Sequence, residues 1–99
     1  MAELFSDNQA KVFFDALLSL DNAEDCRDFF MDLCTIKELE AMVQRYQVAR
    51  MLASGNLYTE IVAETGASTA TISRVNRALT YGNDGYKKVI DKCGDKTDE

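Results

Sequence analysis

The residues best suited to chemistry lie between positions 66 and 79, where the chain has the sequence GASTATISRVNRAL. This segment combines small hydroxyl side chains with two arginines and contains no carboxylate. Small side chains allow a helix to enter the major groove of DNA, where hydroxyl groups bond to phosphates or base edges and alanine contacts a thymine methyl. A serine at the start of a helix also leaves backbone amides available to a phosphate oxygen. The pattern therefore predicts a DNA-binding surface made of Ser68, Thr69, Ala70, Thr71, Ser73, Arg74 and Arg77.

Two short helices must position this surface. The apolar periodicity predicts one helix over residues 59–64, a turn at Gly66 and a second helix over residues 68–79. Ile72 and Val75 would then face inward and leave the opposite side of the second helix exposed, which is the arrangement of a helix-turn-helix. An ordinary helical corner with a solvated, serine-rich helix start has the same pattern, so the pattern alone leaves both interpretations open.

The rest of the chain is predicted to be all-α. It contains no proline and only five glycines, and its apolar residues recur every three or four positions. We expect a first helix over residues 7–20 and a second helix capped by Asp21 together with Glu24. A third helix is predicted to end near residue 54, and a last helix is predicted over residues 86–92. Six helices in total are expected.

The third predicted helix is the longest and has the clearest ends. Thr35 and Glu38 have the spacing of a capping box, and Gly55 suits a left-handed turn at the C-terminal end. Residues 48–53 are apolar on most sides, which is typical of a helix covered all round. A monomer of 99 residues offers little interior for such a helix. The pattern therefore favours a homodimer over a compact monomeric bundle.

The length of the chain predicts a single domain spanning residues 1–99. Within it, we expect residues 1–55 to form dimerisation helices and residues 57–80 to form the helix-turn-helix. Residues 84–93 are expected to form a C-terminal helix that packs in the dimer, and residues 94–99 to form a frayed tail.

Charge is unevenly distributed along the chain. The net charge of −6 arises in residues 1–35, which carry eight acids and two bases, whereas the rest of the chain is close to neutral. An acidic total argues against tight sequence-independent binding to nucleic acid, which depends on neutralising phosphates, but it allows a small basic face. No apolar run reaches the roughly 20 residues that a membrane span needs, and the N-terminus lacks the features of a secretory signal. We therefore expect a cytoplasmic protein with no membrane partner.

Enzymatic and metal chemistry is poorly supported by the composition. The chain has no histidine, which is the commonest general base and metal ligand. Its three cysteines form no C-x-x-C pair. Cys26 and Cys34 fall on apolar helix faces, which predicts buried free thiols. We expect no enzyme activity, no metal and no cofactor.

From Thr35 to Leu79 the chain resembles the Trp repressor family and, within it, the YerC/YecD-type relatives. The resemblance rests on the T-x-x-E helix start, the long helix ending in L-x-S-G and the sequence GASTATISR. It implies six helices, an interwoven homodimer built from the first three helices and the last, and two DNA-reading heads. The residues that it assigns to the DNA are Ser68, Thr69, Ala70, Thr71 and Ser73.

The resemblance also implies a candidate effector pocket. Thr35 stands at the family's ligand-contacting threonine, and Arg45 and Arg74 stand at the two arginines that enclose the indole of tryptophan. Val75 replaces a glycine beside the ligand, and Ala78 replaces a serine that binds it. The added bulk and the lost hydroxyl predict that L-tryptophan does not bind in the family's manner. Another small anionic effector remains an alternative.

The sequence thus favours a homodimeric, sequence-specific transcriptional regulator, a repressor, that binds double-stranded DNA at a palindromic site. The alternative is a helical dimer that serves as an interaction module for a protein or a small anionic ligand, with a vestigial DNA-reading head. The acidic first third supports the alternative, as do Glu60 and Glu64 in the first motif helix, where the family has basic phosphate contacts. If the protein does bind DNA, its phosphate contacts would come from Arg77, Lys87 and Lys88 in place of the first motif helix.

Overall fold

A computed structural model of the chain describes residues 7–97, with side chains described for residues 7–93. The described residues form helices and connecting turns with no β-strand, so the predicted all-α, six-helix fold is confirmed. No helix of this part of the chain combines the length and the apolar character needed to cross a membrane. The helices are α1 (Asn8–Leu18), α2 (Ala23–Leu33), α3 (Ile36–Ala53), α4 (Tyr58–Thr65), α5 (Thr69–Tyr81) and α6 (Gly85–Thr97).

The helix ends follow local side-chain chemistry, with two departures from prediction. The cap of α2 is Asn22, whose side-chain oxygen accepts from the backbone amide of Asp25 at 2.8 Å, so the predicted cap at Asp21 with Glu24 is wrong. The extended backbone of Asn22 provides the conformation that an N-cap requires. The second departure is α6, which continues to Thr97, beyond its predicted end and into the segment expected to fray. Residues 98 and 99 of that segment lie outside the described part.

The capping box of α3 is confirmed. The backbone amide of Thr35 donates to the carboxylate of Glu38 at 2.8 Å, and the backbone amide of Glu38 donates to the hydroxyl of Thr35 at 3.1 Å. At the other end of α3, Gly55 has a φ of 88°, the left-handed conformation predicted for it. This long helix therefore begins and ends where local chemistry predicts.

The chain divides into two compact units after Leu39. The first unit contains α1 and α2, which pair through an aromatic contact with 6.5 Å between the ring centroids of Phe13 and Phe29. Neither helix contains a buried residue. Large apolar side chains are exposed on this unit, and Leu18 has 82% of its surface accessible. The first unit thus presents apolar surface that the single chain leaves uncovered.

The exposure of the first unit corrects the prediction of buried thiols. Cys26, on α2, is exposed, and Cys34, directly after α2, is only half-buried. The apolar periodicity of α2 located its apolar face, but in a single chain nothing buries that face completely.

The second unit holds the fully buried core. Val48 and Ala49 of α3 are completely buried, as is Ile61 of α4. The helix α5 packs against both α4 and α6. Among residues 7–93, the buried apolar residues are Val48, Ala49, Ile61, Ala67, Ile72, Val75 and Leu79.

The turn between α4 and α5 is held by hydrogen bonds at both ends. The hydroxyl of Thr65 donates to the carbonyl of Ile61 at 2.7 Å and accepts from the amide of Ala67 at 3.1 Å. The side-chain amide of Gln44, on α3, donates to the carbonyl of Thr65 at 3.1 Å. Between them, Gly66 adopts a φ of 73°, which is left-handed and favours glycine.

We predict that Gly66→Ala lowers the free energy of unfolding by about 1–2 kcal/mol, because a Cβ is strained at a left-handed backbone. The strain comes from the backbone alone, since a Cβ at this position would meet no other atom. Urea denaturation followed by circular dichroism, at one fixed protein concentration, measures the change.

Gly85→Ala is the matched control for this prediction. Gly85 is also surrounded by open space, but its φ is not left-handed and it begins α6. Its replacement should leave stability unchanged or raise it by up to about 1 kcal/mol. Equal destabilisation by the two substitutions would show that the left-handed backbone of Gly66 is not the cause of the loss of stability.

Candidate DNA-binding surface

The helix α5 begins with a hydroxyl network that fixes its first turn. The hydroxyl oxygen of Ser68 accepts from the backbone amide of Thr71 at 3.1 Å, which confirms Ser68 as the cap. The same hydroxyl donates its proton to the side-chain oxygen of Thr71, also at 3.1 Å. Thr71 therefore accepts one hydrogen bond within the protein, while its own hydroxyl proton remains available to a partner.

The two sides of α5 differ completely in environment. On the inner side, Ile72 and Val75 are buried and Leu79 is nearly so. On the outer side, six of the seven predicted DNA-binding residues are exposed, and Thr71 is intermediate. The exposed residues are Ser68, Thr69, Ala70, Ser73, Arg74 and Arg77.

Four of these side chains line one shallow cleft on the outer side of α5. The cleft has a volume of about 370 Å³ and is bounded by Ala70, Ser73, Arg74 and Arg77. Their spacing of three, four and seven residues places them along one stripe of the helix. The structure therefore brings together the C-terminal part of the predicted surface around a single depression.

The electrostatics of this stripe are uniformly positive. Residues 65–83 contain no acid. Asp84, which follows this segment, lies 3.9 Å from the ammonium group of Lys87. Among the described side chains, the guanidinium groups of Arg74 and Arg77 form no ion pair and no hydrogen bond. Both cations are thus exposed and available to an anion.

The acids on α4 have different environments. The carboxylate of Glu60 accepts from the backbone amide of Leu57 at 2.7 Å and from the side-chain amide of Asn56 at 3.3 Å, so it caps the start of α4. Glu64 is exposed at the other end of the helix. One of the two acids that weaken the case for DNA binding therefore has a structural role that the sequence analysis missed.

The candidate effector residues are distributed over different environments. Thr35 caps α3, and Arg45 is half-buried on the same helix. Arg74 lines the outer cleft, whereas Val75 is only 2% exposed and belongs to the core. Ala78 lines a separate cavity on α5. Three candidate effector residues of the second unit therefore lie in different environments: Arg74, Val75 and Ala78.

That separate cavity is a feature that the sequence analysis did not predict. It has a volume of about 540 Å³, and its walls are mostly apolar. It lies beside the turn that joins α5 to α6. In this turn, a Cβ on Gly82 would collide with the carbonyl oxygen of Ala78. Glycine at this position therefore keeps the turn tight. The lining residues are Tyr46, Ala78, Gly82, Asn83, Gly85, Tyr86 and Val89.

Comparison with known proteins shows which family the chain resembles in sequence. The family model described as "Trp repressor protein" matches residues 8–93. The protein YerC of Bacillus subtilis (strain 168), whose function is uncharacterised, is 57% identical over 79 residues, which make up 80% of this chain and 76% of YerC.

Two crystal structures have a similar fold. A candidate Trp repressor from Staphylococcus aureus matches with a TM-score of 0.88 and 47% identity, over 93% of this chain and 92% of that one. A TrpR-like protein from Eubacterium eligens matches with a TM-score of 0.90 and 47% identity, over 95% of this chain and 96% of that one.

Proposed function

We propose, for a chain that belongs to the Trp repressor family, that the protein is a homodimeric, sequence-specific DNA-binding regulator that represses transcription from a palindromic site. The observation that carries this proposal is the outer side of α5, which is exposed, free of acid and lined by two unpaired arginines.

The fixed position of α5 supports DNA binding. A helix that reads DNA must hold its outer face rigidly while its inner face is buried, and α5 buries Ile72 and Val75 completely or nearly so. Its outer face carries small residues near the start, where a recognition helix enters the major groove, and cations further along. Arginine is well suited to both phosphate and base contacts.

The first unit supports the homodimer. A folded unit whose helices bury no residue lacks the apolar burial that stabilises a domain. Exposed apolar patches of this kind mark protein–protein interfaces. A second copy of the chain would cover the exposed residues, which include Val12, Phe14, Leu18, Met31, Leu33 and Ile36.

A second candidate function is an interaction module that binds a protein or a small anionic ligand. The net charge of −6 and the exposed Glu64 favour binding of a protein over binding of DNA, because both oppose the approach of DNA phosphates. DNA-binding measurements separate the two candidates directly.

We predict that the protein selects palindromic fragments from genomic DNA, with half-sites about one helical turn, or ~34 Å, apart. The double variant Thr71→Ala, Arg74→Ala should reduce the affinity at least tenfold, since it removes a hydroxyl donor and a cation from the surface. Gel shift at several salt concentrations measures both effects.

Arg27→Ala is the matched control for this experiment, because it removes an exposed arginine from α2 instead. It should leave DNA binding within about twofold. A wild-type protein that binds no DNA at any salt concentration would favour the interaction module.

We predict that Leu18→Asp weakens the dimer, because a carboxylate would replace an apolar side chain that the partner covers. Sedimentation equilibrium should show at least a tenfold rise in the dissociation constant of the dimer. Leu57→Asp is the control, since Leu57 is also largely exposed but stands at the N-cap of α4, where aspartate is favourable. A dimer that is unaffected by Leu18→Asp would argue against this interface.

We predict that L-tryptophan does not bind in the manner of the family's effector. Val75 fills part of the core, and the resulting overpacking against a ligand costs about 1–3 kcal/mol. Isothermal titration at millimolar tryptophan should give no saturable heat, and the amino acid should not change DNA affinity. A saturable isotherm would overturn this prediction.

A further inference from the structure

We infer that Arg74 recognises a guanine in each half-site, whereas Arg77 binds a phosphate at the rim of the major groove. This assignment rests on the proposed DNA-binding function and specifies which base α5 selects. Both arginines line the same cleft, and their positions along the helix separate their roles.

The axial positions of the two arginines differ relative to the depth of the groove. At 1.5 Å per residue, Arg74 lies about 9 Å along the axis from the cap at Ser68, and Arg77 lies about 13–14 Å from it. The major groove is about 8.5 Å deep. A helix that enters with its N-terminus first therefore carries the backbone of Arg74 to the mouth of the groove, within side-chain reach of the bases, and leaves Arg77 outside it, beside the phosphates. Helical side chains also lean toward the N-terminus, which directs Arg74 toward the bases.

The hydrogen-bonding groups around Arg74 match guanine in particular. A guanidinium offers only donors, and it forms two hydrogen bonds with the O6 and N7 acceptors of guanine. Thr71, one turn earlier, offers a further donor, because no described group takes its hydroxyl proton. Adenine and cytosine each present an amino donor in the major groove, which a guanidinium cannot accept. Ala70 can contact the methyl group of a neighbouring thymine.

Arg74 is available for this role. It forms no ion pair with a described residue, and residues 65–83 supply no acid. Its neighbours in the candidate effector pocket do not share its environment, since Val75 is buried and Ala78 lines a different cavity. The arginine that the family resemblance assigns to an effector is thus placed on the DNA-facing side of α5.

Selection of bound duplexes from random DNA tests the assignment. The wild-type protein should enrich half-sites that contain guanine at one fixed position. Replacement of that base by another should lower the affinity about 5- to 150-fold. Arg74→Ala should abolish the preference at this position and leave the remaining positions of the site unchanged.

Chemically modified DNA adds a test of the same contact that uses the wild-type protein. Replacing the selected guanine by 7-deazaguanine removes the N7 acceptor, so it should weaken wild-type binding but not the binding of Arg74→Ala. Circular dichroism establishes that the variant is folded.

Arg77→Ala is the internal control for the pair. It should weaken binding to all sequences by a similar factor and keep the guanine preference. It should also reduce the slope of log affinity against log salt by about 2, because the homodimer loses one phosphate contact in each half-site. A wild-type protein that binds specific DNA without a guanine requirement would overturn the inference alone. The inference would also be overturned if Arg74→Ala weakened binding to all sequences by a similar factor and kept the guanine preference. Absence of any DNA binding by the wild-type protein would overturn the proposed function as well.

Discussion

The burial of one side of α5 is the constraint on which the rest of the structure depends. Ile72, Val75 and Leu79 recur at intervals of three and four residues, so they lie on one stripe and are buried together with Val48 and Ile61. A helix fixed in this way cannot rotate about its axis without exposing apolar surface. The residues between them therefore have a fixed orientation outward, and the position of Arg74 follows from the packing of its neighbour Val75.

Val75 affects both the stability of the fold and the space available for a ligand beside α5. Burial of a whole valine side chain stabilises a fold by about 1.5–3 kcal/mol, whereas a glycine at this position would contribute no side-chain burial. The same side chain occupies the place where the family resemblance implies space for a ligand. Under the proposed function, the packing of Val75 in the core holds α5 in place, so the orientation of its outer side does not require a bound small molecule.

The features that follow from local chemistry could be predicted from the sequence. The capping box of Thr35 and Glu38, the cap at Ser68 and the left-handed turn at Gly55 each depend on residues close together in the chain. The periodicity of α5 also determined which of its residues face outward, because a 3.6-residue repeat leaves little choice.

Other features depend on information that the sequence pattern does not contain. Adjacent Asp21 and Asn22 can both cap a helix, and the backbone conformation decides between them. The exposure of Cys26 depends on what covers α2, which periodicity does not specify. The apolar cavity is lined by Tyr46 of α3 together with residues of α5, of α6 and of the turn between them, which only the tertiary fold brings together.

The acidity of the chain and its proposed DNA binding are compatible, because electrostatic interactions in salt solution are short-ranged. The Debye length is about 10 Å at 0.1 M salt, so a phosphate in contact with Arg77 responds mainly to charges on α5 and close beside it. On α5 itself those charges are two arginines and no acid. Of the carboxylates on the neighbouring helices, Glu60 accepts hydrogen bonds at the start of α4, Asp84 lies beside Lys87, and Glu64 is exposed at the end of α4. The local charges around residues 65 to 83 are therefore a better guide to the proposed DNA binding than the isoelectric point of the whole chain.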